Sequence, residues 1–160
     1  MLTSDKSIIF RDHFVMTNEF DIKNAINLFD GKWDIVEAIE QDDKKSEESF
    51  YLCNLSDVIK KYEMWMEKMP RVHPHYAVKC NDDNEVLKAL AVIGADFDCA
   101  SKGEIKKILS LGVSSERIIF ANTTKLGSHI DYAREHNVQV LTFDNEDELY
   151  KIAKIHPNSE

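Results

Sequence analysis

From His75 onward, short apolar runs return every 21 residues: HYAVK at His75, DFDCA at Asp96, RIIFA at Arg117 and VQVLTF at Val138. Runs of this length, rich in β-branched and aromatic residues, predict strands. The stretches between them carry helix punctuation. Asp83 precedes a helix over Glu85–Ile93 that Gly94 ends, and Ser101 with Glu104 forms a capping-box pattern for a second that Gly112 ends. Ser128 opens a third helix through Glu135, and Asp144 opens a fourth bounded by Pro157. Strands alternating with helices at so short a spacing predict parallel βα units, because a parallel neighbour needs a crossover and a helix is its usual form. The class is α/β. A short, even period favours a βα barrel over an open doubly wound sheet, a choice the period alone leaves open.

Upstream, Ser49–Leu52 reads as a short strand, and Ser56 is placed to cap a helix running to about Met69, where Pro70 stops it. Its apolar stripe, Val58, Ile59, Tyr62, Trp65, Met66 and Met69, has the spacing of ordinary core packing. Residues 40–48 hold seven charges and no apolar side chain, which predicts a solvated loop. Before it, Ile8–Phe10 is a candidate strand, and Ile22–Ile39 has near-helical spacing interrupted at Asp30-Gly31. The chain thus divides into an N-terminal segment, 1–48, and a βα region, 49–160. The repeat supplies too few units to close an eight-stranded barrel, which takes ~250 residues. The expected object is the first part of a truncated barrel.

Charge narrows the partners. The formal net charge is −9, with acidic residues scattered along the chain, which argues against nucleic acid. No apolar run approaches the ~20 residues of a membrane span, and Asp5, Lys6 and Arg11 break the pattern of a signal peptide. A cytoplasmic protein is expected. The three cysteines, Cys53, Cys80 and Cys99, fit neither a disulfide framework nor a zinc site, the six histidines lack ligand-like spacing, and no metal is expected. No GxGxxG or GxxxxGK motif occurs.

In βα architectures the chemistry lies at the carboxyl ends of the strands. That rule selects Lys79-Cys80-Asn81, Asp98-Cys99-Ala100-Ser101, Asn122–Lys125 and Thr142–Asp144. Lys79 stands out, because a lysine at the end of an apolar strand is partly desolvated and its amine becomes a nucleophile able to form a Schiff base with an aldehyde. The competing reading packs its alkyl stem on the strand and leaves the charge in solvent. Asp98, at the end of the neighbouring strand, is expected to need a cationic partner, with Lys79 the obvious one. Cys80 and Cys99 follow the same strands, but small buried thiols are commoner than redox or metal pairs.

The segments FYLCNLSDVIKKYEMWMEKMPRVHPHYAVKCN, GADFDCASKGEI and LTFDNEDELYKIAKIHP resemble eukaryotic ornithine decarboxylases, members of the group IV pyridoxal-phosphate-dependent decarboxylases. The resemblance is close from Ser49 to Pro157 and implies a (β/α)8 barrel of the alanine-racemase type, joined to a β domain to which Ile8–Phe10 would belong. It implies that Lys79 holds pyridoxal phosphate covalently, that Asp98 lies beside it and that Ala77 lines the same site. The implied reaction converts L-ornithine to putrescine, the first step of polyamine biosynthesis, in a homodimer. The glycine-rich phosphate loop, the acid facing the pyridine nitrogen, the stacked histidine and the cysteine of a second subunit would all lie beyond Glu160, so this chain alone is expected to be inactive.

The loop that usually reads ANPCK in the family is Ala121-Asn122-Thr123-Thr124-Lys125 here, and Asp131 stands where relatives that bind antizyme tend to have lysine. The resemblance also admits a non-catalytic paralogue like antizyme inhibitor, which binds antizyme. Such paralogues generally lose the acid of FDCAS, which this chain keeps as Asp98.

Overall fold

The computed structural model describes residues 53–160, of which Asn54–Glu160 form one compact unit. The expectations for Ile8–Phe10, for 22–39, for the charged loop at 40–48 and for the strand at Ser49–Leu52 lie outside the described residues. The described elements run α1 (Leu55–Lys68), β1 (His75–Ala77), α2 (Asn84–Val92), β2 (Asp96–Cys99), α3 (Lys102–Ser110), β3 (Ile118–Phe120), α4 (Gly127–Glu135), β4 (Val140–Leu141) and α5 (Glu146–Ile155).

The four strands form one parallel sheet in the order β1-β2-β3-β4. Its register is the 21-residue repeat itself, since His75 pairs with Asp96, Phe97 with Ile118 and Ile119 with Val140. A doubly wound sheet reverses its strand order at a switch point, whereas sequential winding is that of a barrel. Past β4 the winding goes one step further, because Glu160 N–H donates to Gln139 O at 2.7 Å and Leu141 N–H donates to Glu160 O at 3.0 Å. These two bonds are the parallel bridge pattern, with Glu160 set against Val140.

Alternation along the strands sorts the two faces. Phe97, Cys99, Ile118, Phe120 and Leu141 are buried in one cluster with Leu87 and Leu90 of α2, Ile105 and Ile108 of α3, Ile130 of α4 and Ile152 of α5. The intervening positions make the other face, where Ala77, Asp98 and Ile119 are partly buried and Val140 is exposed. Each large side chain in that cluster contributes roughly 1.5–3 kcal/mol through area removed from water.

The punctuation was partly displaced. Asp83 accepts from the N–H groups of Glu85 and Val86, and Ser101 Oγ accepts from Glu104 N–H, as their patterns predict. Gly94 (φ +92°) and Gly112 (φ +79°) end α2 and α3 in the left-handed region that glycine enters without steric cost. Elsewhere the cap falls on a different residue. Asn54 caps α1 in place of Ser56, Asn145 caps α5 in place of Asp144, and α4 starts at Gly127 with no side-chain cap, so that Ser128 lies within it. The α1 stripe is only half in the core, because Trp65 and Met69 are each 38% exposed and no α1 residue is fully buried.

Candidate active site

β1 ends sooner than its apolar run suggests. After Ala77 the chain turns into a short 3-10 segment, Val78–Cys80, in which Val78 is buried and Lys79 and Cys80 are exposed. The turn is closed by Tyr76, whose hydroxyl donates to Asn81 O at 3.1 Å. Burial raises the ionisation point of that phenol, as does the adjacent Cys80. Lys79 is therefore a solvent-facing amine at the carboxyl end of β1, not the desolvated strand residue its neighbours predict.

Asp98 sits across from Ala77 in the β1–β2 register. Its Oδ1 is buried and has no hydrogen-bond partner, and no ion pair joins it to Lys79. The expected Lys79–Asp98 pair is thus absent, because the 3-10 turn takes Lys79 off the strand's alternation. A buried polar atom without a partner costs about 1–3 kcal/mol, and of the three such atoms among the described residues, Glu85 Oε2, Asp98 Oδ1 and His156 Nδ1, only that of Asp98 lies at the carboxyl end of a strand. Between β1 and β2, an exposed amine, a small side chain and an unsatisfied carboxylate oxygen surround one edge.

Cys99 follows Asp98 but faces the opposite side of the sheet. Burial pushes its thiol up to about 12, with the Glu104 and Asp98 carboxylates adding to the effect. A thiol so far above neutrality is a packing group. Cys80 is exposed, so the two cysteines differ in kind.

The edges of β3 and β4 hold the feature that sequence reasoning missed. Lys125 and Glu148 are buried, with side chains 0% and 2% exposed, and they pair at 3.0 Å. Lys125 Nζ also donates to Asn122 O at 2.9 Å and to Thr142 O at 2.5 Å. Lys151 donates to the other Glu148 oxygen at 2.5 Å. Burial alone would raise the Glu148 carboxyl, but the hydrogen bonds from Lys151 and Lys125 outweigh it and hold the group below its ordinary range. Sequence spacing could have shown the Glu148–Lys151 pair, three residues apart on a helix. It carried no sign that Lys125 would be its third member.

A second polar cluster gathers at the amino ends of the strands, where His73 and His75 approach Asp96 Oδ2 at 3.0 and 3.7 Å. Arg117 holds Asp96 Oδ1 at 3.2 Å and donates to Ala91 O and Ala95 O. This end of a βα sheet serves stability, and Arg117 ties β3 to the loop that enters β2.

The residues from Leu55 to Glu160 match the family model described as pyridoxal-dependent decarboxylase, pyridoxal binding domain. The chain belongs to that family. Ornithine decarboxylase 2 of Drosophila melanogaster is 48% identical over 84% of this chain and 34% of its own length. Antizyme inhibitor 2 of Xenopus laevis is 46% identical over 79% of the chain and 28% of its own length. The arginine decarboxylase structure from Paramecium bursaria Chlorella virus superimposes with a TM-score of 0.76 at 41% identity, over 79% of this chain and 34% of that one. The chain spans about a third or less of the length of these relatives. Its parallel sheet is accordingly the opening part of the barrel that pyridoxal-dependent decarboxylases share.

The match to the pyridoxal-binding domain covers Leu55–Glu160 of the described unit, and the residues at the strand ends fit the group. Lys79 is exposed, Ala77 is small and in register with Asp98, and Asp98 Oδ1 lacks a donor. The Asn122 loop, despite its departure from ANPCK, is well tied. Asn122 Nδ2 donates to Ala100 O at 3.1 Å, and its Oδ1 accepts from Thr124 N–H at 3.2 Å.

Proposed function

We propose that this chain is the cofactor-anchoring part of a pyridoxal-phosphate-dependent decarboxylase that converts L-ornithine to putrescine and carbon dioxide, active as the complete protein in a homodimer. The observation that carries the reading is the buried, unpaired Oδ1 of Asp98, registered with Ala77 one strand away from Lys79. When bound, pyridoxal phosphate supplies a ring that accepts the electron pair left as the carboxylate departs.

This chain's residues do the holding. Lys79, whose side chain is exposed at the carboxyl end of β1, would be the residue that holds the cofactor through its aldehyde. Asp98 presents a carboxylate oxygen on the same edge, where it accepts a hydrogen bond or faces positive charge. Ala77, in register with Asp98, would put a small side chain beside the group.

The choice of ornithine rests on similarity to the fly enzyme, and the similarity to an arginine decarboxylase structure makes arginine the competing substrate. The similarity to a frog antizyme inhibitor supports a second reading, a non-catalytic antizyme-binding protein. Retention of Asp98 favours the enzyme, and Asp131, paired with Arg134 at 2.6 Å, gives the α4 surface an acid where antizyme-binding relatives tend to carry lysine.

The deciding experiment mixes the complete gene product with pyridoxal phosphate and looks for the absorbance of the lysine-bound cofactor, then repeats this with Lys79→Ala. Ornithine, arginine and lysine are then offered and carbon dioxide is measured. Cofactor binding lost in Lys79→Ala, with turnover of ornithine first among the three, is the expected result. A wild-type protein that binds no cofactor but captures antizyme establishes the second reading instead.

A further inference from the structure

We infer that Lys125 and Glu148 are positioning residues of the cofactor site, which hold the carboxyl ends of β2, β3 and β4 in the arrangement that presents Asp98. The inference rests on the cofactor reading above and extends it to residues on the far side of the same edge.

Replacing a buried ion pair with apolar residues of similar volume is often neutral or stabilising, so stability alone does not account for a fully buried lysine. What an ammonium supplies is direction, with three donors on one atom. Lys125 spends all three on Glu148 Oε1 at 3.0 Å, on Asn122 O at 2.9 Å and on Thr142 O at 2.5 Å. The last two are carbonyls of the segments leaving β3 and β4. One nitrogen therefore bridges those two strand ends, beside the bonds that Thr142 N–H and Oγ1 donate to Phe120 O at 3.2 and 3.4 Å.

Asn122 passes the constraint to β2. Its carbonyl is held by Lys125 while its side-chain amide donates to Ala100 O at 3.1 Å. Ala100 N–H is held in turn by Glu104 Oε2 at 2.7 Å. The peptide groups on both sides of Ala100 are thus clamped, two residues after Asp98. Glu148 keeps Lys125 in place by accepting its backbone N–H at 3.1 Å as well as its ammonium, and Lys151 donates to Lys125 O at 2.6 Å. Removal of the ammonium releases Asn122 first, then Ala100, and through it Asp98.

The test uses the complete gene product and titrates pyridoxal phosphate, read by absorbance, against the wild type, Lys125→Met, Lys125→Arg and Glu148→Gln. Each is made alone and combined with Asp98→Asn. Small misplacements of a positioned group cost up to about a hundredfold, so Lys125→Met and Glu148→Gln are expected to weaken cofactor binding about tenfold or more. In the Asp98→Asn background the same changes should cost less than about twofold, because the constraint acts through Asp98. Lys125→Arg, which keeps charge and donors, should recover part of the loss.

Amide hydrogen exchange of the cofactor-free protein gives a second readout. Lys125→Met should speed exchange at Ala100 and Thr124 while Phe97 stays protected. Unchanged affinity in Lys125→Met, or an equal loss with and without Asp98, overturns the proposal. Should Lys125→Met not fold, Lys125→Arg and Glu148→Gln carry the same comparison. If even the wild type binds no cofactor, the decarboxylase reading fails, and the exchange pattern alone decides whether the brace exists.

Discussion

Glu148→Gln probes the buried ion pair at the ends of β3 and β4. The substitution keeps shape and one oxygen but removes the charge that Lys125, 0% exposed, faces at 3.0 Å. Breaking a buried pair by removing one partner costs about 3–5 kcal/mol, because the other charge is left uncompensated. Lys125 keeps the carbonyls of Asn122 and Thr142 as acceptors, which puts the expected cost at the low end, about 3 kcal/mol. The Lys151 contact adds less than about 1 kcal/mol, since its side chain is 34% exposed. Equilibrium urea unfolding followed by far-ultraviolet circular dichroism measures the difference, and an unchanged slope against urea attributes it to stability. A cost below about 1 kcal/mol would refute the argument that the pair is desolvated.

The pH dependence of the same variant provides an independent check. Glu148 titrates below its ordinary 4.5 in the folded chain, so the unfolded chain takes up this proton first as pH falls. Its contribution is complete above that ordinary value and is lost as pH falls through the lowered folded value. The gap between wild type and Glu148→Gln should therefore be widest at neutral pH and close in acid. A gap that widens in acid contradicts the assigned direction.

Three further outcomes test the fold around the site. Arg117→Met strips donors from Ala91 O and Ala95 O and leaves Asp96 Oδ1 unpaired, a loss of about 2 kcal/mol in urea unfolding, whereas Arg134→Met on the exposed face of α4 leaves the midpoint unchanged. Gly94→Ala lowers stability by about 1–2 kcal/mol through its φ of +92°, not through crowding, because the added Cβ would meet Tyr62 Oη at an ordinary 3.5 Å; equal stability would place the strain elsewhere. Alkylation followed by peptide mapping should label Cys80 in the native protein and Cys99 only in denaturant, since burial has pushed the Cys99 thiol up to about 12; native labelling of Cys99 would show that β2 opens readily.

How far the sequence foretold this depends on whether local and global signals agreed. The 21-residue spacing set both the strand positions and their register, because each βα unit repeats one geometry and His75, Asp96 and their successors fall on equivalent rungs. The caps were harder to read, since Asn54 and Ser56, or Asp144 and Asn145, offer the same side-chain chemistry within one or two residues. The strand-end rule picked out Lys125 but its burial was out of reach, because a loop lysine is buried only when a helix more than twenty residues later returns a carboxylate to it.

Asp98 is where the disagreement becomes informative. Apolar patterning extended β1 through Lys79 and so supplied Asp98 with a neighbouring cation, which a self-sufficient fold would use. The chain instead turns at Val78, sends Lys79 to solvent and leaves Asp98 Oδ1 buried without a partner. Around it the neighbouring polar groups are carefully satisfied, from Ala100 N–H through Asn122 to the three acceptors of Lys125. Glu85 Oε2 and His156 Nδ1 also lack partners among the described residues, but Asp98 Oδ1 is the one at the carboxyl end of a strand. Departures from local rules are expected at functional sites, and here the open acceptor is in register with Ala77, two residues before the exposed Lys79, which is the arrangement the proposed cofactor role would use.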